Sequence, residues 1–341
     1  NWPEAYRGGV FTINLHGKRL NHDRLERTDT GYVARHAEDF ARTTDPWFRA
    51  VELTYGPDGG VLVMDWSDVG ECHENDGVHR ASGRIFKITH GTPRRPENLD
   101  VSRLGEAELT RLHTNANEWY ARQARKVLQE RASAGKPLGE ARSELRRMAE
   151  NANEETHRLR ALWSLAVTGG AEEPWLIKQL ESGAASSRIA AIRILTDSLP
   201  VSPDAEQALE RRAREESDGL VKRYLASAMQ RVGSESSWRI AAALGDHSDL
   251  ARDQAVTRTV WYGLEPRVMN APKRAAELAI STRMVFVSQS IARRLTQEIA
   301  GNPAAADSLV EALLKATQPD SPEAILQGMS EALKGYRKAR A

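Results

Sequence analysis

Residues 1–100 concentrate the side chains that could carry out acid–base or ligand chemistry, among them six of the nine histidines. A neutral imidazole can act as a general base, and a guanidinium group can hold a carboxylate through paired N–H donors. Carboxylate oxygens are the ligands that Ca²⁺ prefers. The candidates are, as catalytic groups, His16 and His73; as binders of an anionic cofactor, Arg49, Arg80 and Arg84; and as metal ligands, Asp65 and Asp68.

Structural roles are the alternative for several of these residues. Asp65 directly precedes Trp66 at the end of a strand-like segment, where an aspartate often caps a turn through backbone hydrogen bonds. Arg84 could span neighbouring groups of strands. Cys72 and His73 could bind a metal or haem iron, but adjacent side chains point to opposite faces of a strand. Both interpretations are open for each position on the sequence alone.

Strand-like segments of alternating or β-branched residues must position these side chains. They cover residues 9–15, 50–55, 61–64 and 84–89, and a Gly-Pro-Asp-Gly-Gly turn separates the second from the third. This rhythm is typical of a β-propeller blade, which has four strands in roughly 40–50 residues. Residues 1–92 are therefore predicted to form about two antiparallel blades. Because closed propellers have about 4–8 blades, we expect the missing blades of a longer protein as partners.

A helical pattern follows the polar break at residues 93–96. Before the break apolar residues recur about every 2 positions, and after it they recur about every 3.6 positions. Fourteen helix candidates lie between residues 106 and 338, and several share a core spacing of i, i+3 and i+7. The sequence thus predicts an α+β multidomain chain: a partial propeller over residues 1–92, a linker over 93–104 and an α-solenoid of HEAT-like repeats over 105–341. The sets with that spacing are Ala121/Ala124/Leu128, Arg158/Ala161/Leu165, Arg188/Ala191/Leu195, Lys222/Leu225/Met229 and Arg252/Ala255/Thr259.

Composition excludes several classes of protein. Lys and Arg number 48 against 47 Asp and Glu, so a net charge of +1 argues against electrostatic capture of nucleic acid. No apolar run approaches the roughly 18 residues of a membrane-spanning helix. Cys72 is the single cysteine, which leaves no internal disulfide and no CxxCH haem attachment. The phosphate loop, the Gly-x-Ser-x-Gly elbow and the His-Glu-x-x-His motif are also missing from the sequence.

Several longer motifs carry a resemblance to a known family. The chain resembles the predicted membrane-bound dehydrogenases, or haem-binding CxxCH proteins, of planctomycetes and verrucomicrobia. The likeness covers essentially the whole chain. The motifs that carry it are INLHGKRLNHD at residues 13–23, DPWFR at 45–49, DWSD at 65–68, HRASGRIFKI at 79–88, RLRALW at 158–163 and WYGLEP at 261–266.

The resemblance implies a fragment of a secreted or periplasmic oxidoreductase. In this family a propeller similar to glucose/sorbosone dehydrogenases precedes a HEAT-like domain and a c-type cytochrome domain. The full-length protein would oxidise a sugar-like or alcohol substrate, with pyrroloquinoline quinone and Ca²⁺ as possible cofactors. Haem c would lie only in the cytochrome domain, which this chain does not contain. Arg49, Arg80 and Arg84 would then hold carboxylates of the quinone, while His16 would take a hydroxyl proton as hydride passes to the quinone.

A non-catalytic role is the alternative. The same domains could form a module that binds a polysaccharide or a protein partner without redox chemistry. A truncated propeller cannot build a site in its central channel, so we expect the isolated chain to be inactive and to hold no cofactor.

Overall fold

The computed structural model describes residues 2–69, 81–93, 96 and 99–335. The chain divides into two compact units, Asn1–Gly170 and Ala171–Ala341. The predicted linker at 93–104 therefore lies inside the first unit. The described strands, all in the first unit, are β1 (Gly9–Asn14), β2 (Arg19–Arg27), β3 (Tyr32–His36), β4 (Ala41–Arg42), β5 (Ala50–Tyr55), β6 (Val61–Asp65) and β7 (Arg84–Ile88).

The strands form two small antiparallel sheets. In the first sheet β2 lies between β1 and β3, and β4 pairs with the beginning of β2. β1 pairs with residues 19–24 along one edge of β2. β4 and β3 pair with the other edge, β4 near the beginning of β2 and β3 near its end, so they are two parts of one interrupted strand. In the second sheet β6 lies between β5 and β7.

The prediction of about two propeller blades is wrong. A blade is a sheet of four consecutive antiparallel strands. The described residues form one sheet in which β4 continues the line of β3 and another sheet of three strands. The sequence rhythm of strand, turn and strand was correct, but that rhythm is equally compatible with hairpins that belong to small separate sheets.

A small apolar core lies among the strands. Leu20, Phe48, Ala50 and Val63 are its buried members. Aromatic rings extend this core toward the start of the chain, since Trp2 packs on Phe40 with 5.3 Å between ring centroids. Such ring pairs add about 0.5–1.5 kcal/mol beyond the area that they bury.

The turn between β5 and β6 ties this core to neighbouring segments on both sides. Trp2 donates from Nε1 to the carbonyl oxygen of Gly59 at 2.8 Å. Asn117, which lies just before the second helix, donates from Nδ2 to the carbonyl oxygens of Gly56 at 3.0 Å and Pro57 at 3.2 Å. The backbone of this turn therefore links the start of the chain and the segment before the second helix.

Four helices complete the first unit. α1 packs against α2 and α3, and α4 packs against α2 and α3. The Oδ1 atom of Asn117 accepts from the backbone N–H of Trp119 at 3.0 Å, which satisfies a donor at the start of α2. The helices are α1 (Glu106–Arg111), α2 (Glu118–Ser133), α3 (Gly139–Asn151) and α4 (Glu155–Val167).

Ten further helices make up the described part of the second unit. The even-numbered helices form one row, in which α6, α8, α10, α12 and α14 pack in succession, and odd-numbered helices pack behind them. This arrangement is compatible with an α-solenoid; the HEAT type stays a prediction. The helices are α5 (Glu173–Gln179), α6 (Ala185–Leu195), α7 (Pro203–Glu215), α8 (Gly219–Ala228), α9 (Ser234–Gly245), α10 (Gln254–Val268), α11 (Pro272–Ser281), α12 (Val285–Gln297), α13 (Pro303–Leu313) and α14 (Ser321–Leu333).

The predicted core spacing holds in α2, α4, α6 and α8, whose alanine, leucine and methionine members are buried. It is shifted in α10. Arg252 precedes this helix and is exposed, whereas Thr257, Val260 and Leu264 are buried at the same i, i+3, i+7 spacing. The shift arises because a 3₁₀ turn at Ser248–Leu250 comes first, and α10 begins only after Asp253, whose Oδ1 accepts from the backbone of Val256.

Candidate functional site

Asp65 closes the end of β6. Its side chain is fully buried. Oδ1 accepts from the backbone N–H of Arg49 at 2.7 Å and from that of Ser67 at 3.0 Å. Ser67 has a φ of +58°, a left-handed conformation in which a local side-chain hydrogen bond helps to hold a non-glycine residue. The geometry corresponds to the turn-capping alternative for Asp65.

Arg84 begins β7 directly opposite Asp65. Its Nε atom lies 2.8 Å from Oδ2 of Asp65, and another guanidinium nitrogen lies 2.6 Å from Oδ2 of Asp45. Asp45 also accepts from the backbone N–H of Trp47 at 2.9 Å. Hydrogen bonds to Asp45 and Asp65 raise the pKa of Arg84, while the Trp47 N–H and then Arg84 lower the pKa of Asp45. The guanidinium thus joins two carboxylates of this chain.

Arg49 directs its guanidinium onto backbone carbonyl groups of the loops around Asp65. It donates to Pro46 at 3.1 Å, to Phe48 at 3.0 Å and to Val69 at 2.7 Å. These bonds hold the segments before β5 and after β6 together. A ligand carboxylate that approached Nη1 and Nη2 would have to compete with these carbonyl oxygens, whereas Nε is buried and makes no hydrogen bond.

The remaining predicted site residues are more dispersed. His16 is exposed in the turn between β1 and β2, which belongs to the first sheet, whereas Asp65 and Arg84 belong to the second. Asp68 is buried, and its backbone N–H donates to Trp47 at 2.9 Å. The structure therefore brings together Arg49, Asp65 and Arg84. His73 and Arg80, and also Cys72, lie outside the described residues.

The contacts of Arg84 and Asp65 do not fit the cofactor and metal roles predicted for these two residues. A cavity of about 310 Å³ lies beside Arg84, but the donors of Arg84 already serve Asp45 and Asp65. Oδ1 and Oδ2 of Asp65 are both occupied by N–H donors, so Ca²⁺ would have to displace Arg84 from the carboxylate. In the described residues no group of three or more His, Cys, Asp or Glu side chains could hold a metal ion. Binding of a quinone or Ca²⁺ here would require this network to break.

Comparison with known families bears on the strand-rich part of the chain. Residues 1–92 match the family model described as Domain of unknown function (DUF7133). No curated protein matches the chain. The DUF7133 region contains both sheets and all seven predicted site residues.

A groove in the second unit was not predicted from the sequence. It has a volume of about 370 Å³ and is lined by the first turns of α10, α12 and α14. A smaller cavity of about 140 Å³ continues it and shares Ala251, Val285 and Asp320 with it. The lining residues come from three segments, 251–258, 285–289 and 320–327, which are far apart in the sequence. Only the packing of α12 against both α10 and α14 brings them together.

The two sides of this α10–α12–α14 groove differ in charge. Arg258 of α10 lies over the ring of Phe286, with 5.8 Å from its guanidinium carbon to the ring centroid. On the α14 side, Glu323 accepts from Nε2 of Gln327 at 3.0 Å. Arg252 and Asp320 approach to 3.8 Å and so connect the two sides. The groove is therefore basic on one side, acidic on the other and aromatic between them.

A buried imidazole was also missed by the sequence analysis. His113 is fully buried, and its Nε2 atom lies 2.6 Å from Oγ of the equally buried Ser164. Nδ1 lies 3.1 Å from the carbonyl oxygen of Leu109. Burial lowers the pKa of His113 to about 4, so the ring is neutral at pH 7. A serine–histidine pair can act as a nucleophile and base, but here no substrate can reach it, and the pair joins the α1 segment to α4.

Proposed function

We propose that this chain is a non-catalytic binding module whose helical repeats hold a protein partner. The observation that carries the proposal is the α10–α12–α14 groove, to which three helices contribute side chains of different chemistry. Rows of repeats commonly present such extended surfaces to partners. The strand-rich region supports the same conclusion, because Arg49, Asp65 and Arg84 direct their charged groups at one another and at the local backbone.

A protein partner fits the groove better than a polysaccharide does. Sugar rings are commonly held by stacking on the face of an aromatic side chain. The aromatic ring of this groove, Phe286, has the guanidinium of Arg258 over it. A sugar would have to displace that cation, whereas a peptide can use the N–H groups at the edge of the same guanidinium.

The oxidoreductase hypothesis rests on the family resemblance and concerns a longer, secreted or periplasmic protein. In that protein this chain would hold a dehydrogenase domain and a cytochrome domain in a fixed relation. Dye reduction over a panel of sugars and alcohols, with pyrroloquinoline quinone and Ca²⁺ added, tests it. We expect no turnover by this chain, and measurable turnover would contradict the non-catalytic proposal.

The binding proposal is tested with the whole chain. A library of random dodecapeptides and a panel of polysaccharides are offered to it under the same conditions. We expect saturable binding of selected peptides. Hydrogen–deuterium exchange of the bound chain should show protection in residues 251–258, 285–289 and 320–327, with α7 as the internal reference. Failure of every peptide to bind, whether or not a polysaccharide binds, would overturn the proposal.

A further inference from the structure

We infer that the α10–α12–α14 groove recognises an extended peptide segment through an acidic side chain of the partner, which pairs with Arg258. This inference rests on the proposed function, since it names the partner chemistry of the same groove. It also assigns a second contact, between the acidic side of the groove and a basic residue of that peptide.

Arg258 lies beside Phe286 and has no carboxylate partner in the part of the chain that the structure describes. Its side chain is exposed and lies over Phe286. Within residues 2–69, 81–93, 96 and 99–335, no Asp or Glu side chain makes an ion pair with it. Its guanidinium carbon lies 5.8 Å from the ring centroid, and no hydrogen bond to another described residue uses its N–H donors. A guanidinium group with such donors can bind a carboxylate through two hydrogen bonds. The other arginine that lines the groove, Arg252, is paired with Asp320.

The other side of the groove excludes a simple polyanion. Glu323 and Asp320 lie there, and Glu323 uses one carboxylate oxygen on Gln327. A nucleic acid or a phosphate-rich ligand would meet these carboxylates directly. A peptide with one acidic and one basic side chain would instead satisfy both sides, because opposite charges then face each other across the groove.

Three glutamines give the groove partners for a peptide backbone. Gln254 lies on α10, Gln289 on α12 and Gln327 on α14, so each helix contributes one. A side-chain amide has both donors and an acceptor, as a peptide group does. Nε2 of Gln289 donates to Glu331 at 2.8 Å, which fixes the amide. Nε2 of Gln327 likewise donates to Glu323, so both of these glutamines keep their amide oxygens as acceptors for the N–H groups of a peptide.

The test is a selection from a random dodecapeptide library displayed on phage, with the immobilised 341-residue chain as target. We expect the enriched peptides to share an Asp or Glu, with a Lys or Arg a few residues away. The enriched peptides are then synthesised, and their affinity is measured by fluorescence polarisation. Arg258→Gln should weaken binding at least about tenfold, as expected for loss of a charge-assisted pair. Arg258→Glu should shift the selection toward basic residues.

Arg211→Gln is the matched control, because Arg211 is exposed on α7 and does not line the groove. It should bind the selected peptides as the wild type does. Circular dichroism checks that the variants are folded. Peptides that bind the wild type and Arg258→Gln equally would overturn this inference and leave the proposed function standing. The absence of any enriched peptide, or polysaccharide binding that Arg258→Gln abolishes, would overturn the peptide class itself.

Discussion

Nε of Arg84 lies 2.8 Å from Oδ2 of Asp65, and the two residues face each other across β6 and β7. On the sequence alone, Arg84 was a candidate binder of an anionic cofactor and Asp65 a candidate metal ligand, each with a structural role as the alternative. In the structure each residue is a partner of the other. The charged groups of Arg84 and Asp65 therefore stabilise the second sheet and the loops beside it.

Removal of Arg84 should destabilise the first unit. Arg84→Gln leaves the buried carboxylate of Asp65 without its cation. Breaking a fully buried pair costs about 3–5 kcal/mol, and we expect about 2 kcal/mol here because the side chain of Arg84 is 36% exposed. Urea denaturation followed by tryptophan fluorescence measures the loss. Arg35→Gln, which breaks an exposed pair with Glu26, is the control and should cost less than about 1 kcal/mol. Equal effects of the two changes would contradict a structural role for Arg84.

Acid should destabilise the first unit through His113. The pKa of this residue is lowered from 6.5 to about 4 in the folded chain, so between these values only the unfolded chain takes up the proton. The contribution of His113 is therefore complete above pH 6.5, is lost as pH falls toward 4 and stays constant below. A pKa shift of this size corresponds to about 3 kcal/mol of the free energy of unfolding.

Chemical denaturation at several pH values between 4 and 7 measures this effect. His113→Gln should lower the stability at pH 7, since the bond to Ser164 is altered, but it should flatten the dependence on pH in that window. His157→Gln, which changes a half-buried histidine in the first turn of α4, serves as the comparison. An unchanged pH profile in His113→Gln would refute the assignment.

The close approach of α12 and α14 requires glycine at position 328. A Cβ atom there would lie 2.2 Å from the carbonyl oxygen of Gln289. Gly328→Ala should therefore force the helices apart and cost about 1–3 kcal/mol, more than alanine gains from its higher helix propensity. Gly183→Ala is the control, because nothing lies within 4 Å of the added atom. Thermal denaturation should separate the two variants; a midpoint for Gly328→Ala at or above that of the control would contradict the packing.

The buried lysine of α8 depends on its single carboxylate. Lys222 is 3% exposed, and its Nζ atom lies 2.7 Å from Oδ2 of Asp249. Asp249→Ala leaves the ammonium group unpaired and should cost about 2 kcal/mol, whereas Lys222→Met should change stability by less than about 1 kcal/mol. The double variant should resemble Lys222→Met. A double-mutant cycle in urea measures the coupling, and purely additive losses would show that the pair is not coupled.

Local pattern was sufficient for most elements. The segments 50–55, 61–64 and 84–89 correspond to β5, β6 and β7, and the fourteen helix candidates correspond to α1–α14. β3 was missed because all five of its residues are exposed, so it has no alternation of apolar and polar positions. The propeller prediction failed because spacing along the chain does not determine how many strands share a sheet.

The site was harder to predict because strand pairing and helix packing, rather than spacing along the chain, bring its residues together. The turn-capping role of Asp65 was available from its position before Trp66, but its pairing with Arg84 required the register of β6 and β7. The groove required the packing of three helices whose first turns are about 30 residues apart. Phe286 gave the one local signal, an exposed aromatic residue in a helix, and such residues are too common on surfaces to identify a site alone.

The backbone of the β5–β6 turn accepts hydrogen bonds from Trp2 and from Asn117. Hairpin turns are ordinarily the places where a lineage gains or loses residues at little cost. Here one inserted residue would move Gly59 relative to Trp2, or Gly56 relative to Asn117, and so separate parts of the chain that lie more than fifty positions apart. Length variation among natural versions of this domain should therefore be rarer in this turn than in the turn between β1 and β2, where His16 and Gly17 are exposed. A circular permutant opened at Gly59 should assemble poorly.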